Sequence, residues 1–77
     1  MYRVKLTPTA VKMLNALHPT IKSRIKLRLK ELYDDPFQGK SLRDELSSFR
    51  SLKMKRYRAV YKVDHEHKEA VVYAIGH

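Results

Sequence analysis

The chain predicts an α+β fold: an antiparallel sheet of about four strands with an N-terminal helical hairpin packed on one face, in the order β-α-α-β-β-β. Three observations carry this. Residues 2–7 alternate apolar and polar, the next two stretches place apolar residues at helical spacing behind prolines, and alternation returns from Phe49 onward. Residues 1–77 form one domain. A chain this short buries only about 60% of the surface that its unfolded form exposes, so its core is marginal and is completed by a partner.

Tyr2, Val4 and Leu6 alternate with Arg3, Lys5 and Thr7, the pattern of a half-buried strand. Thr7-Pro8 reads as an N-cap followed by proline at the first helical position. Ala10, Val11, Leu14 and Leu17 then give a short helix over 8–17, which His18-Pro19 breaks. In the second helix Ile21, Ile25, Leu29 and Leu32 form an apolar stripe, Lys22, Lys26 and Lys30 an outward one, and Arg24 and Arg28 flank the apolar face. Leu27 lies off the stripe. Asp35-Pro36 ends this helix, and the two helices form an antiparallel hairpin.

Residues 37–48 contain Gly39 and several polar residues and read as a loop, with Leu42 and Leu46 anchored inward. Leu52 and Met54 alternate with Ser51, Lys53 and Lys55 in one strand; Arg56 sits near a tight turn. Tyr57, Ala59, Tyr61 and Val63 alternate with Arg58, Val60, Lys62 and Asp64 in the next. Residues 64–68 are a polar hairpin turn. Ala70 to Ile75 is almost continuously apolar, as in a central strand covered on both faces.

Seventeen Lys and Arg against eight Asp and Glu give a net charge of +9. An excess of that size points to a polyanionic partner, nucleic acid or an acidic protein. Between residues 50 and 62 there are six basic residues and no acidic one. If Leu52, Met54, Tyr57, Ala59, Tyr61 and Val63 pack under the helices, Ser51, Lys53, Lys55, Arg58 and Lys62 share the opposite, cationic face. With no cysteine, disulfides and thiolate metal sites are excluded. No stretch approaches the roughly 18 apolar residues of a membrane span, and the alternating N-terminus is no signal peptide, so the expected location is cytoplasmic, without a membrane partner.

Asp35-Pro36-Phe37, Gly39-Lys40, Leu46-Ser47-Ser48-Phe49, Tyr57-Arg58-Ala59-Val60-Tyr61 and Ala74-Ile75-Gly76-His77, in this order of elements, resemble the RelE/ParE toxin superfamily over nearly the whole chain. The resemblance implies the toxin half of a type II toxin–antitoxin pair, a cognate acidic antitoxin that wraps and blocks it in a hetero-oligomer, and ribosome-dependent cleavage of mRNA without a metal or other cofactor. It matches Arg58 to the arginine that binds the scissile phosphate and Lys53 to a basic residue of the preceding strand. Ser51 stands where some members carry a further lysine. Two alternatives stay open: a ParE-like inhibitor of DNA gyrase, and a catalytically degenerate homologue, since members usually carry an arginine and a tyrosine after the Gly-His.

The chemistry of the residues fits the first reading. Metal-free RNA cleavage needs the 2′-hydroxyl deprotonated, the phosphorane charge stabilised and the 5′-oxygen protonated. Arginine donates two hydrogen bonds to phosphate and keeps its charge, which suits Arg58, with Lys53 or Lys55 adding positive potential. His77 is the candidate for proton transfer, because imidazole titrates near neutrality. Arg50, Lys55, Arg56 and Lys62, with Lys22, Lys26 and Lys30 on the helix, are candidate RNA-binding residues. The plain alternatives are a solvated strand residue for Arg58, a frayed terminus for His77 and an ordinary wet helix face for the three lysines. Tyr61 and Tyr73 read as core or base-stacking rings. Asp64, His65, Glu66 and His67 read as a solvated hairpin tip and not a metal site.

Overall fold

The computed structural model describes residues 1–43 and 48–77. The inward anchoring expected of Leu46 lies outside them. Strand β1 (Arg3–Leu6) leads through Thr7 into helix α1 (Pro8–Asn15), and helix α2 (Pro19–Lys30) runs into a 3-10 turn (Glu31–Tyr33). Strands β2 (Lys40–Ser41), β3 (Phe49–Met54), β4 (Tyr57–Asp64) and β5 (Glu69–Gly76) follow. The Thr7 hydroxyl accepts from Ala10 N at 3.1 Å, so one of the unpaired amides of the first turn is satisfied beside the proline. His18 Nδ1 accepts from Thr20 N at 3.2 Å and caps α2 in the same way. The first helix is two residues shorter than its apolar spacing suggests, because Leu17 N turns back to Leu14 O at 3.2 Å ahead of the proline.

The sheet has five strands in the order β1-β5-β4-β3-β2. It is mixed and not wholly antiparallel, because β1 pairs parallel with β5 while the other three pairs are antiparallel. The helical segment between β1 and the later strands lets β1 come back alongside β5 in the same direction; a tight hairpin cannot do that. The extra strand is the two-residue β2, too short to leave an alternation in the sequence.

Both helices cover one face. Ala10 and Leu14 of α1, Ile25 and Leu29 of α2 and Leu32 of the 3-10 turn pack with Leu52, Ala59, Tyr61, Ala70, Val72 and Ile75, while Met54, Tyr57 and Val63 lie partly buried against this core. The expected inner rows of β3 and β4 are therefore the observed ones. The expectation that β5 is covered on both faces is corrected: Val71 is only half-buried and Tyr73 is exposed. The apolar run reflects an irregularity in pairing. Val60 stands opposite Ala74 and Tyr61 opposite Val72, so Tyr73 is an extra residue, a β-bulge. The bulge resets the phase, which is why Val72 and Ile75 both face the core although they are three residues apart.

The Pro36–Gly39 segment is held from below by Tyr61. Its hydroxyl donates to Pro36 O at 2.6 Å and accepts from Gly39 N at 2.9 Å, both buried contacts. Burial raises the pKa of this phenol, against the opposing effect of the Gly39 amide, so it stays protonated. A Cβ on residue 39 would lie 2.5 Å from the Tyr61 hydroxyl oxygen, so only glycine lets the backbone approach this ring. The Arg50 guanidinium closes the same loop, donating to Phe37 O at 3.1 Å and Gly39 O at 2.8 Å.

Tyr61→Phe leaves a buried carbonyl and amide unpaired and is expected to cost about 1–3 kcal/mol, read from the urea midpoint; an unchanged midpoint would show the clasp to be dispensable. At the opposite edge Glu69 accepts from Lys5 Nζ at 2.7 Å and lies 3.3 Å from the Arg3 guanidinium. The Lys5 hydrogen bond leads the effects that lower the Glu69 pKa below its ordinary 4.5. A depressed carboxylate stabilises the fold above its unfolded value, and that contribution disappears as pH falls through the folded value. The stability gap between the wild-type chain and Glu69→Gln is therefore expected to be constant at neutral pH and to close in acid; a gap that persists in acid refutes the linkage.

Candidate nucleic-acid interface

The open face of the sheet is set by the register of β3 against β4. Lys53 stands directly opposite Arg58, Leu52 opposite Ala59 and Met54 opposite Tyr57. Because Leu52 and Ala59 are buried under the helices, the Lys53–Arg58 pair points out to solvent, and both side chains are exposed. Directly opposed residues bring their Cβ atoms to roughly 4.5–5.5 Å, where like charges repel. Among the described residues no carboxylate offsets this, because the ion pairs go elsewhere: Arg3 and Lys5 to Glu69, Arg28 to Glu31, His67 to Asp64. Two cations held together without a counter-ion make a site suited to an anion that bridges them.

The turn beyond the pair adds Lys55 and Arg56, both exposed. Lys55 has φ 57°, the left-handed region where glycine is at ease and a lysine is strained. Around the edge of β3, a groove of about 480 Å³ runs between this hairpin and α2. Its apolar lining is Ile21, Ile25, Met54 and Tyr57; Arg24, Arg28, Lys53, Lys55 and Arg56 supply the charge, and among the described residues no acidic one lines it.

Farther along the open face the Phe49 and Tyr73 rings meet edge to face, with centroids 5.4 Å apart, and the Lys62 ammonium lies 4.7 Å from the Phe49 centroid. Among the described residues the acidic ones of this face stand at its far end, where Asp64 is opposite Glu69. Asp64 is held ionised by the His67 side chain at 2.8 Å, which lowers its pKa.

The candidate residues therefore separate. Lys53, Arg58 and Lys62 share the open face, with Lys55 and Arg56 at its end. Arg50 does not: it stands opposite Tyr61 on the helix side and is engaged by loop carbonyls and by the Phe37 ring, 5.0 Å from its guanidinium carbon. His77 also lies apart from the pair. Gly76 is opposite Arg58, so the next residue turns to the other side, and the His77 ring packs on Tyr57 at 4.8 Å. Lys22, Lys26 and Lys30 belong to α2, and Lys26 and Lys30 line a separate groove with Val4, Leu6, Val11 and Tyr33. His65 stacks on Phe37 while His67 turns to Asp64, and among the described residues no three His, Asp or Glu side chains gather as metal ligands.

Phe49 shares the phase of Ser51 and Lys53 and joins the open face, although nothing in the alternation marks it as a contact residue. Tyr73, one of the rings that the sequence offers as core or base-stacking, is turned outward by the bulge.

Comparison with known proteins identifies this architecture. The family model described as the ParE toxin of type II toxin–antitoxin systems, parDE, matches residues 4–77. Toxin RelG of Mycobacterium tuberculosis is 33% identical over 78 residues, spanning 99% of this chain and 90% of RelG. The toxin–antitoxin complex RelBE2 of the same organism contains a chain that superposes with a TM-score of 0.93 at 33% identity, covering 99% of this chain and 96% of that one. The isolated Escherichia coli RelE toxin superposes at 0.86 with 25% identity, covering 99% and 83%. This chain thus belongs to the ParE toxin family of type II toxin–antitoxin systems, within the RelE/ParE superfamily.

Proposed function

We propose that this toxin grips single-stranded mRNA at the ribosome across the open face of its sheet and cleaves it without a metal. The observation that carries the reading is the Lys53–Arg58 pair, two exposed cations in direct register with no carboxylate partner among the described residues. In this reading the ribose 2′-oxygen attacks the adjacent phosphorus, the bond to the 5′-oxygen breaks, and the proton lost by the 2′-hydroxyl is balanced by one delivered to the leaving oxygen. Arg58 holds the phosphate by two hydrogen bonds and Lys53 adds to the field on the phosphorane. Lys55, Arg56 and Lys62 extend the hold to neighbouring phosphates. His77 is the proton-transfer group of this reading and must leave Tyr57 to reach the open face; Gly76, which precedes it, has space around its Cα.

The position of His77 favours one second reading, a toxin that binds RNA without cutting it. The ParE-like alternative that the sequence resemblance left open is a third, inhibition of DNA gyrase.

An acidic antitoxin is the partner we propose. The folded chain exposes 5510 Å², against about 4,900 Å² expected of a folded monomer of its mass. Leu27 is 64% exposed, and the groove beside α2 joins an apolar lining to five cations. An acidic segment with apolar anchors answers both features.

Added to translating ribosomes, the chain is expected to cut mRNA in the A site, mapped from new 5′ ends, and Arg58→Ala is expected to lower cutting by about a hundredfold or more. Intact mRNA with full ribosome binding favours the non-cutting reading, and blocked supercoiling in a gyrase assay favours the third. Co-expression with the adjacent small open reading frame is expected to raise solubility and abolish growth arrest; unchanged arrest counts against that pairing.

A further inference from the structure

We propose that Phe49 and Tyr73 form a stacking site for one base of a single-stranded RNA, next to the phosphate grip. The inference deepens the RNA-gripping reading and rests on it. Tyr73 is 41% exposed on a sheet face that no helix covers, while its strand neighbours Val72 and Ile75 are buried. A bulge spends one unpaired residue to place it there. Phe49 reaches it from the far side of β4, edge to face at 5.4 Å, and Lys62 at 4.7 Å holds the Phe49 ring in turn. The tyrosine is thus fixed in orientation by its neighbours yet open to solvent, which is what a flat base requires of a platform.

The arrangement along β3 supplies the rest. Phe49 and Lys53 lie on the same face four residues apart, roughly 13 Å at about 3.3 Å per residue. A strand of RNA laid along β3 meets the cation pair first and the rings next. Among the described residues the carboxylates of this face are Asp64 and Glu69, which are engaged by His67 and by Arg3 and Lys5. An exposed ring backed by a second and flanked by cations is the combination by which sheet surfaces take single strands: cations track the backbone and rings accept any base.

The test separates base from backbone. Binding of the full chain is measured by fluorescence anisotropy to a short oligouridylate and to the abasic ribose-phosphate oligomer of equal length. Tyr73→Ala is expected to weaken the oligouridylate by roughly five- to a hundredfold while leaving the abasic oligomer unchanged, with Tyr73→Phe close to wild type. Arg58→Ala is expected to weaken both and to make the salt dependence shallower by about one unit of slope. Tyr73→Leu, which keeps apolar bulk without a ring, guards against a folding defect and is expected to behave as the alanine does. Equal losses on both oligomers, or no loss on either, overturn the stacking site. Weakened antitoxin binding with RNA binding intact assigns the rings to a protein interface and overturns it as well. A wild-type chain that binds neither oligomer sinks the RNA-gripping reading and the stacking site with it.

Discussion

The pairing of β3 with β4 governs everything placed on the sheet. A slip by one residue would carry Lys53 to the helix side and bring Leu52 out to water. What resists the slip is the inner row: Leu52 and Ala59 opposite one another and fully enclosed, then Tyr61 opposite Arg50. Tyr61 adds a constraint that apolar packing cannot, because its hydroxyl recognises two particular backbone groups, Pro36 O and Gly39 N. Arg50 repeats the device from β3 by binding the carbonyls of Phe37 and Gly39. Both strands are thereby referred to the same four-residue loop, and a hydrogen bond that must meet a fixed partner specifies register more narrowly than burial does.

That arrangement explains why some features could be read from the residues alone and others could not. Alternation in Leu52, Met54, Tyr57, Ala59 and Tyr61 is a direct consequence of one covered face, so the inner rows and the Lys53–Arg58 face followed from it. The helices were equally plain, since Thr7-Pro8 and His18-Pro19 are local signals with local causes. The parallel partnership of β1 with β5 left no trace, because strand direction is decided by the path between strands and not by their composition. The bulge at Tyr73 was hidden for a related reason: a run of apolar residues looks the same with or without a change of phase. Arg50 misled because a cation near other cations suggests a shared surface, whereas its hydrogen bonds to loop carbonyls make it part of the scaffold. His77 followed the same logic, one position past the residue that faces Arg58.

Charge and stability pull against each other on the open face. Lys53 and Arg58 repel one another across the strand pair, and Lys55 holds a backbone angle that a side chain disfavours. The opposite edge shows the contrast: there Glu69 gathers Arg3 and Lys5, the charges cancel locally, and the result is a seam between β1 and β5. One sheet therefore carries a margin where opposite charges meet, at Glu69, and another where like charges stand in register, at Lys53 and Arg58.

The position of β5 has a consequence for how the protein comes into being. It lies between β1 and β4, so the earliest strand and the later hairpin have no sheet contact until residues 69–76 are inserted between them. Loop-closure entropy over nearly the full chain must be met before this central pairing rewards it. During synthesis the segments made first therefore wait as an incomplete assembly, and the seam between β1 and β5 is the last part of the sheet to close.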